Sequence, residues 1–211
     1  MIKAVFWDFG GVLTSSPFDA FNRYEQENSL PADFIRSVNT RNPNQNAWAL
    51  FESDKITADT FDNLFAEESR ALGHRVQGRD IIALLHGVIR TDMVEALRRC
   101  TRHLKTACIT NNVRGAAASG SDDPDPQFAK IFALFGTVIE SSKVGIRKPS
   151  PEIYALACKR VGVEPQAVVY LDDLGINLKP ARAMGMTTIK VGAPGAAIDE
   201  LEKVLGIPLK G

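Results

Sequence analysis

The sequence has no apolar run approaching the ~20 residues needed to span a bilayer, and it has no block of lysine or arginine. Its 25 basic and 25 acidic residues cancel, so the electrostatic footprint of a nucleic-acid or anionic-membrane binder is missing. Neither partner is expected. Cysteine is scarce: Cys100, Cys108 and Cys158 are odd in number, widely spaced and form no Cys-x-x-Cys pair. They read as reduced, mostly buried thiols rather than a disulfide framework or a zinc site. His74, His86 and His103 have no ligand spacing and read as surface or helix residues. The apolar N-terminus lacks a basic leader and a small-residue cleavage site. It reads as a buried strand, not a signal peptide, and a cytoplasmic protein is expected.

Within these limits, 211 residues with 45% hydrophobic and 24% charged side chains describe an ordinary globular chain. A chain of this size buries roughly 70% of its unfolded surface. Short β-rich, near-continuously apolar runs recur at residues 2–8, 106–110, 136–140, 168–172 and 187–191, as in strands covered on both faces. Amphipathic helices lie between the later ones. One begins at Ser150 as N-cap with Pro151 behind it, one follows Asn177, and one runs from about Ala197 to Leu205, ending at Gly206. This alternation specifies an α/β fold with a doubly wound parallel sheet.

Residues 16–88 break the alternation. Helical patterns around Phe18, Phe21, residues 23–27 and residues 57–72 occur without a convincing strand, which predicts a helical cap inserted into a core of residues 1–15 and 89–211. Trp48, Phe51, Phe61 and Phe65 are expected to fill the cap's own core. Residues 114–127, rich in Gly, Ser, Asp and Pro, read as an exposed loop.

Four segments carry chemistry, each at or after a strand end, where open parallel sheets place their ligands. VFWDFGGVLT presents Asp8 at a strand tip beside Gly10 and Gly11; ACITNN ends a strand at Thr110, next to Asn111. In KVGIRKPSPEIY, Lys148 precedes a proline and is thereby held extended. In VVYLDDLGINLKPARAMGM, Asp172 and Asp173 end an apolar strand. Adjacent carboxylates near a third, Asp8, repel one another unless a cation neutralises them.

Taken in order, these segments resemble the four motifs of haloacid dehalogenase superfamily phosphatases. IESSKVGIRKPSPEIY, VVYLDDLGINLKPARAMGM and AIDELEKVLGIPL further resemble the N-terminal phosphatase domains of soluble epoxide hydrolases. The resemblance covers residues 3–14 and 106–211 and fades across the cap. It implies a Rossmann-like core and a Mg²⁺-dependent phosphohydrolase acting on a small phosphorylated metabolite, as monomer or homodimer. Asp8 becomes the nucleophile. Thr110, Asn111, Gly11 and Lys148 become phosphate-binding groups, Lys148 also neutralising the nucleophile. Asp8, the Gly10 carbonyl and Asp173 become the metal ligands, with Asp172 and Asn177 in support.

Gly10 departs from the family pattern. The residue two after the nucleophile is usually a second aspartate, which acts as general acid and base, a contribution worth ~10²- to 10⁴-fold. Two rival readings follow from its loss: a dehalogenase attacking carbon, which needs no Mg²⁺ and lacks the acidic pair, and a non-catalytic phosphate-binding module. Retention of Asp8, Thr110, Lys148 and Asp173 argues against the second.

Overall fold

The computed structural model describes residues 1–85, 87–111 and 126–210. Its centre is a five-stranded parallel sheet built from β1 (Ala4–Trp7), β2 (Lys105–Thr110), β3 (Thr137–Glu140), β4 (Val168–Asp172) and β5 (Thr187–Lys190). The order across the sheet is β3-β2-β1-β4-β5. From β1 the chain winds first toward β3 and later toward β5, so the winding direction reverses where β1 lies between β2 and β4. Ligand sites of open α/β sheets form at such reversals, beyond the carboxyl ends of the strands.

The near-continuous apolarity of the strands has its cause here. Val5, Trp7, Cys108, Val169, Leu171 and Ile189 face one side of the sheet; Ala4, Phe6, Ala107, Ile109, Val168 and Tyr170 face the other. The first set packs under α6 (Thr91–Cys100), α7 (Pro126–Phe132) and α11 (Pro194–Leu205). The second packs under α9 (Pro151–Val161) and α10 (Gly175–Ala183), while α8 (Ser141–Val144) follows β3 directly. Burying each Val, Leu, Ile or Phe contributes about 1.5–3 kcal/mol, so both faces carry weight.

Between β1 and α6 lie α1 (Pro17–Glu27), α2 (Phe34–Thr40), α3 (Ala47–Glu52), α4 (Ala58–Arg70) and α5 (Gly78–Ala83), with no strand among the described residues. They share a third apolar cluster holding Phe21, Ile35, Phe51, Phe61, Phe65 and Ile81, with Trp48 packed at its border. Asn46 and Thr57 cap α3 and α4, accepting the Ala49 and Thr60 amides. The two segments joining these helices to the sheet run side by side: Thr14 bridges Ile89 antiparallel, and the Ser15 amide donates to the Val88 carbonyl at 2.7 Å.

Several boundaries differ from expectation. The helix expected after Asn177 starts at Gly175, because the Asp172 carboxylate accepts the Leu174 amide at 2.8 Å and turns the chain straight from strand into helix. α11 starts at Pro194, not near Ala197, with the proline at the helix start, where its missing N–H has no role. Ser150 holds the N-cap position of α9, yet its hydroxyl bonds the Glu152 carboxylate rather than a helix amide. The expected 114–127 loop lies largely outside the described residues; its last two, Pro126 and Gln127, open α7. No helix among the described residues is long and apolar enough to cross a membrane. Cys100, Cys108 and Cys158 are free and buried, and His74 and His103 are exposed. His86 lies outside the described residues.

Candidate active site

Asp8 stands one residue past β1, its amide donating to the Leu171 carbonyl at 2.8 Å. Its Oδ1 accepts the Phe9 amide at 2.7 Å and lies 2.6 Å from Lys148 Nζ. The same Nζ is 2.9 Å from Asp172 Oδ2. Lys148 thus sits between two carboxylates with its side chain 1% exposed. Thr110 ends β2 and is buried on the other flank of β1. Asn111, beside it, pairs with both main-chain groups of Lys148: Nδ2 donates to the Lys148 carbonyl at 3.0 Å and Oδ1 accepts its amide at 2.8 Å.

The two adjacent aspartates have different surroundings. Asp172 is fully buried and accepts hydrogen bonds from Lys148, the Tyr170 hydroxyl, the Leu174 amide and the Asn177 amide group. Asn177 reaches it from the first turn of α10, with Nδ2 at 3.0 and 3.1 Å from its two oxygens. Asp173 is only partly buried and accepts a bond from Ser16 Oγ at 3.1 Å. One carboxylate oxygen from each of Asp8, Asp172 and Asp173 lies within 4.8 Å of the others. Gly11 closes the cluster with φ +74°; a Cβ there would stand 2.2 Å from Asp173 Oδ2. Its carbonyl accepts Arg90 Nη1 at 2.7 Å. Among the described residues, and leaving aside its chain neighbours, no atom lies within 4 Å of where a Cβ on Gly10 would stand.

Burial pushes the Asp8 carboxyl well above the usual carboxylate range; Lys148 opposes the shift and Asp172 reinforces it. Asp173 is pushed up by burial and then by Asp172. Burial alone would lower the Lys148 ammonium, but Asp172 and Asp8 outweigh it and hold the group above the ordinary lysine range. Burial, then Asp172, raises the Tyr170 phenol, which keeps it a proton donor to that carboxylate. Three carboxylates face one ammonium, so ionising all of them leaves two negative charges uncompensated.

Every site residue expected from the sequence lies at the carboxyl edge of β1, β2 and β4. Four further participants were not foreseen: Ser16, Arg90, Tyr170 and Glu52. Glu52, the last residue of α3, pairs with Arg147 at 2.6 Å and is 3.5 Å from Asn111 Nδ2. Only the position of Arg147, directly before Lys148, offered a signal. Ser16 and Glu52 lie in the stretch where the motif resemblance fades.

A family model described as haloacid dehalogenase-like hydrolase matches residues 2–185. Acyl-CoA dehydrogenase family member 10 of Mus musculus is 33% identical over 215 residues, taking in 98% of this chain and 19% of that protein. Bifunctional epoxide hydrolase 2 of Mus musculus is 31% identical over 216 residues, 97% of this chain and 39% of that protein. The chain therefore spans well under half the length of these curated relatives. A solved structure of a haloacid dehalogenase family enzyme of Bacteroides thetaiotaomicron, in complex with magnesium and inorganic phosphate, matches with TM-score 0.63. That match has 21% identity and covers 92% of this chain and 96% of that one.

Proposed function

The chain belongs to the haloacid dehalogenase-like hydrolase family, and from that premise we propose that it is a Mg²⁺-dependent phosphohydrolase in which Asp8 accepts the phosphoryl group of a small phosphomonoester. The observation that carries this reading is the charge imbalance at the strand ends, where Asp8, Asp172 and Asp173 converge and, among the described residues, the Lys148 ammonium pairs with two of them. A site built to take a divalent cation and a phosphate needs that excess of hard oxygen donors. A carbon-attacking dehalogenase does not.

The donor set fits Mg²⁺. Asp172 has its oxygens engaged by four donors and fixes the geometry; Asp173 turns toward the Gly11 cradle, which a Cβ would fill, and Asp8 has an oxygen within 4.8 Å of one from each of the other two. Asp8, Asp173 and the Gly10 carbonyl are the groups that would hold the ion, which when bound supplies the positive charge that lets a carboxylate approach an anionic phosphate. The Phe9 amide and Lys148 fix Asp8 through Oδ1, presenting Oδ2 to the phosphorus. Oδ2 bonds to phosphorus as the ester oxygen departs with its electron pair. Water then attacks the phosphorus of the aspartyl-phosphate, releasing phosphate and restoring Asp8. Thr110, Gly11, Asn111 and Lys148 hold the phosphate oxygens meanwhile, and Asn177 steadies Asp172. Gly10 has no side chain to protonate the leaving oxygen, so that proton comes from water or from the substrate. Residues 16–88 act as a helical cap over the core of residues 1–15 and 89–211.

Purified protein assayed on p-nitrophenyl phosphate with Mg²⁺, with EDTA, and in parallel on chloroacetate tests the reading. Phosphate release that requires Mg²⁺ supports it. Chloride release from chloroacetate, undiminished by EDTA, replaces it with the dehalogenase.

A further inference from the structure

We infer that Glu52 is a positioning residue, latching the end of α3 to the peptide that carries Lys148 and so fixing the lysine between Asp8 and Asp172. The inference rests on reading Asp8 and Lys148 as nucleophile and counter-charge. Glu52 is separated in sequence from Asn111 by 59 residues and from Ser141 by 89, yet both reach it, as does Arg147. Its Oε2 meets Arg147 Nη2 at 2.6 Å and Asn111 Nδ2 at 3.5 Å, and its carbonyl accepts the Ser141 hydroxyl at 2.6 Å. Arg147 also donates through Nη1 to the Pro43 carbonyl at 2.9 Å, gripping the approach to α3.

Besides the Trp48 indole of its own helix, the two side chains that reach the Glu52 carboxylate from the core, Arg147 and Asn111, lead to the same peptide. Arg147 is covalently next to Lys148, and Asn111 holds the Lys148 amide and carbonyl. The lysine side chain is long, flexible and entropically costly to fix. What holds its ammonium at 2.6 Å from Asp8 is the placement of its backbone as well as the attraction of the carboxylates. The latch is also a second attachment of the α1–α5 body, apart from the paired segments at Thr14 and Ile89.

A pair kept only for adhesion is a poor choice at this position, because burying Glu52 costs solvation and pushes its carboxyl up even against Arg147. An apolar pair of the same volume would hold the cap as well. It would leave Arg147 without the carboxylate that fixes it beside Lys148.

The test uses the full chain with Glu52→Ala, Glu52→Gln, Arg147→Ala and the Glu52→Ala/Arg147→Ala double variant. In Glu52→Ala, kcat for p-nitrophenyl phosphate should fall about ten- to a hundredfold, the range for a misplaced group near the chemistry. KM should change much less. Glu52→Gln keeps an oxygen for Arg147 and should recover most of the loss. The double variant should be no worse than Glu52→Ala alone, since both residues act through one contact. Amide hydrogen exchange at Lys148 should quicken about tenfold or more in Glu52→Ala. Should Glu52→Ala fail to fold, Arg147→Ala gives the same two readings. Unchanged exchange at Lys148 in the folded variants overturns the inference, as does a loss confined to KM. Absence of phosphatase activity in the parent overturns the proposed function instead, and the exchange measurement then decides the latch by itself.

Discussion

Gly10 and Gly11 are adjacent, and alanine at each should give opposite results. At Gly11 the backbone has φ +74°, where an L side chain costs about 1–2 kcal/mol. The added Cβ would stand 2.2 Å from Asp173 Oδ2 and 2.4 Å from its Cγ, against an ordinary contact beginning at 3.4 Å. The Asp173 carboxylate must therefore retreat by about 1 Å, and Mg²⁺, with its near-ideal octahedron at ~2.0–2.1 Å, cannot follow a ligand that far. Gly11→Ala should lose about 1–2 kcal/mol of stability in urea denaturation with EDTA. In calorimetric titration, Mg²⁺ affinity should fall at least about ten- to a hundredfold, the loss typical of disturbing a ligand's support. Gly10 lies outside the positive-φ region and has no atom within 4 Å of a Cβ. Gly10→Ala should stay within about 0.5 kcal/mol of the parent and bind Mg²⁺ as the parent does. Equal effects of the two alanines, or normal Mg²⁺ binding by Gly11→Ala, would refute both the cradle and the role given to Asp173.

The open space at Gly10 also admits an acid. Gly10→Asp should raise turnover of alkyl phosphates, whose basic leaving groups need protonation, more than turnover of aryl phosphates; equal or absent gains in a variant that still binds Mg²⁺ would mean another acid already serves the site. Asp172→Ala strands Tyr170, Asn177 and the Leu174 amide and leaves Lys148 with one partner, so it should cost roughly 3–5 kcal/mol in metal-free urea denaturation. A loss below about 1 kcal/mol would show that the buried carboxylate does not organise the cluster. Burial pushes Cys100 up to about 12, Cys158 up to about 11, and Cys108 well above the ordinary thiol range. The reactive thiolate is then scarce at pH 8, about one thiol in a thousand or fewer, so iodoacetamide should label the folded protein far more slowly than the denatured one. Labelling should quicken with rising pH; fast labelling at pH 8 without denaturant would contradict the burial of these thiols.

The parts legible in the sequence are those whose signal is local. A strand covered on both faces reads as an unbroken apolar run, and all five strands fall within two residues of their expected bounds. Asp8, Thr110 and the Asp172–Asp173 pair sit at or just past strand ends, and parallel order brings strand ends together, so their convergence followed once the strands were placed. Lys148 precedes α9 and reaches the same edge. The short helices α2, α3 and α5 were not legible individually, because six or seven residues span too few turns to show a period. Glu52 carries no local signal; its meaning comes from Arg147, Asn111 and Ser141, distant in the chain. The difference between Asp172 and Asp173 was clearer in the tertiary structure, since it depends on donors arriving from Lys148, Tyr170 and Asn177.

The proposed phosphohydrolase reaction turns on one bond, that between phosphorus and Asp8. With no side chain at Gly10 to activate water, the second half-reaction should be slow and the covalent enzyme should accumulate during turnover. The direct measurement is to mix the Mg²⁺-loaded protein with excess aryl phosphate, quench in acid within the first turnovers, and map the phosphoryl group by peptide mass spectrometry. One phosphoryl group is expected on the peptide carrying Asp8, absent with EDTA and absent in Asp8→Asn, which should also lose turnover while keeping its fold. Continued phosphate release by Asp8→Asn, or a label on a different residue, would contradict it.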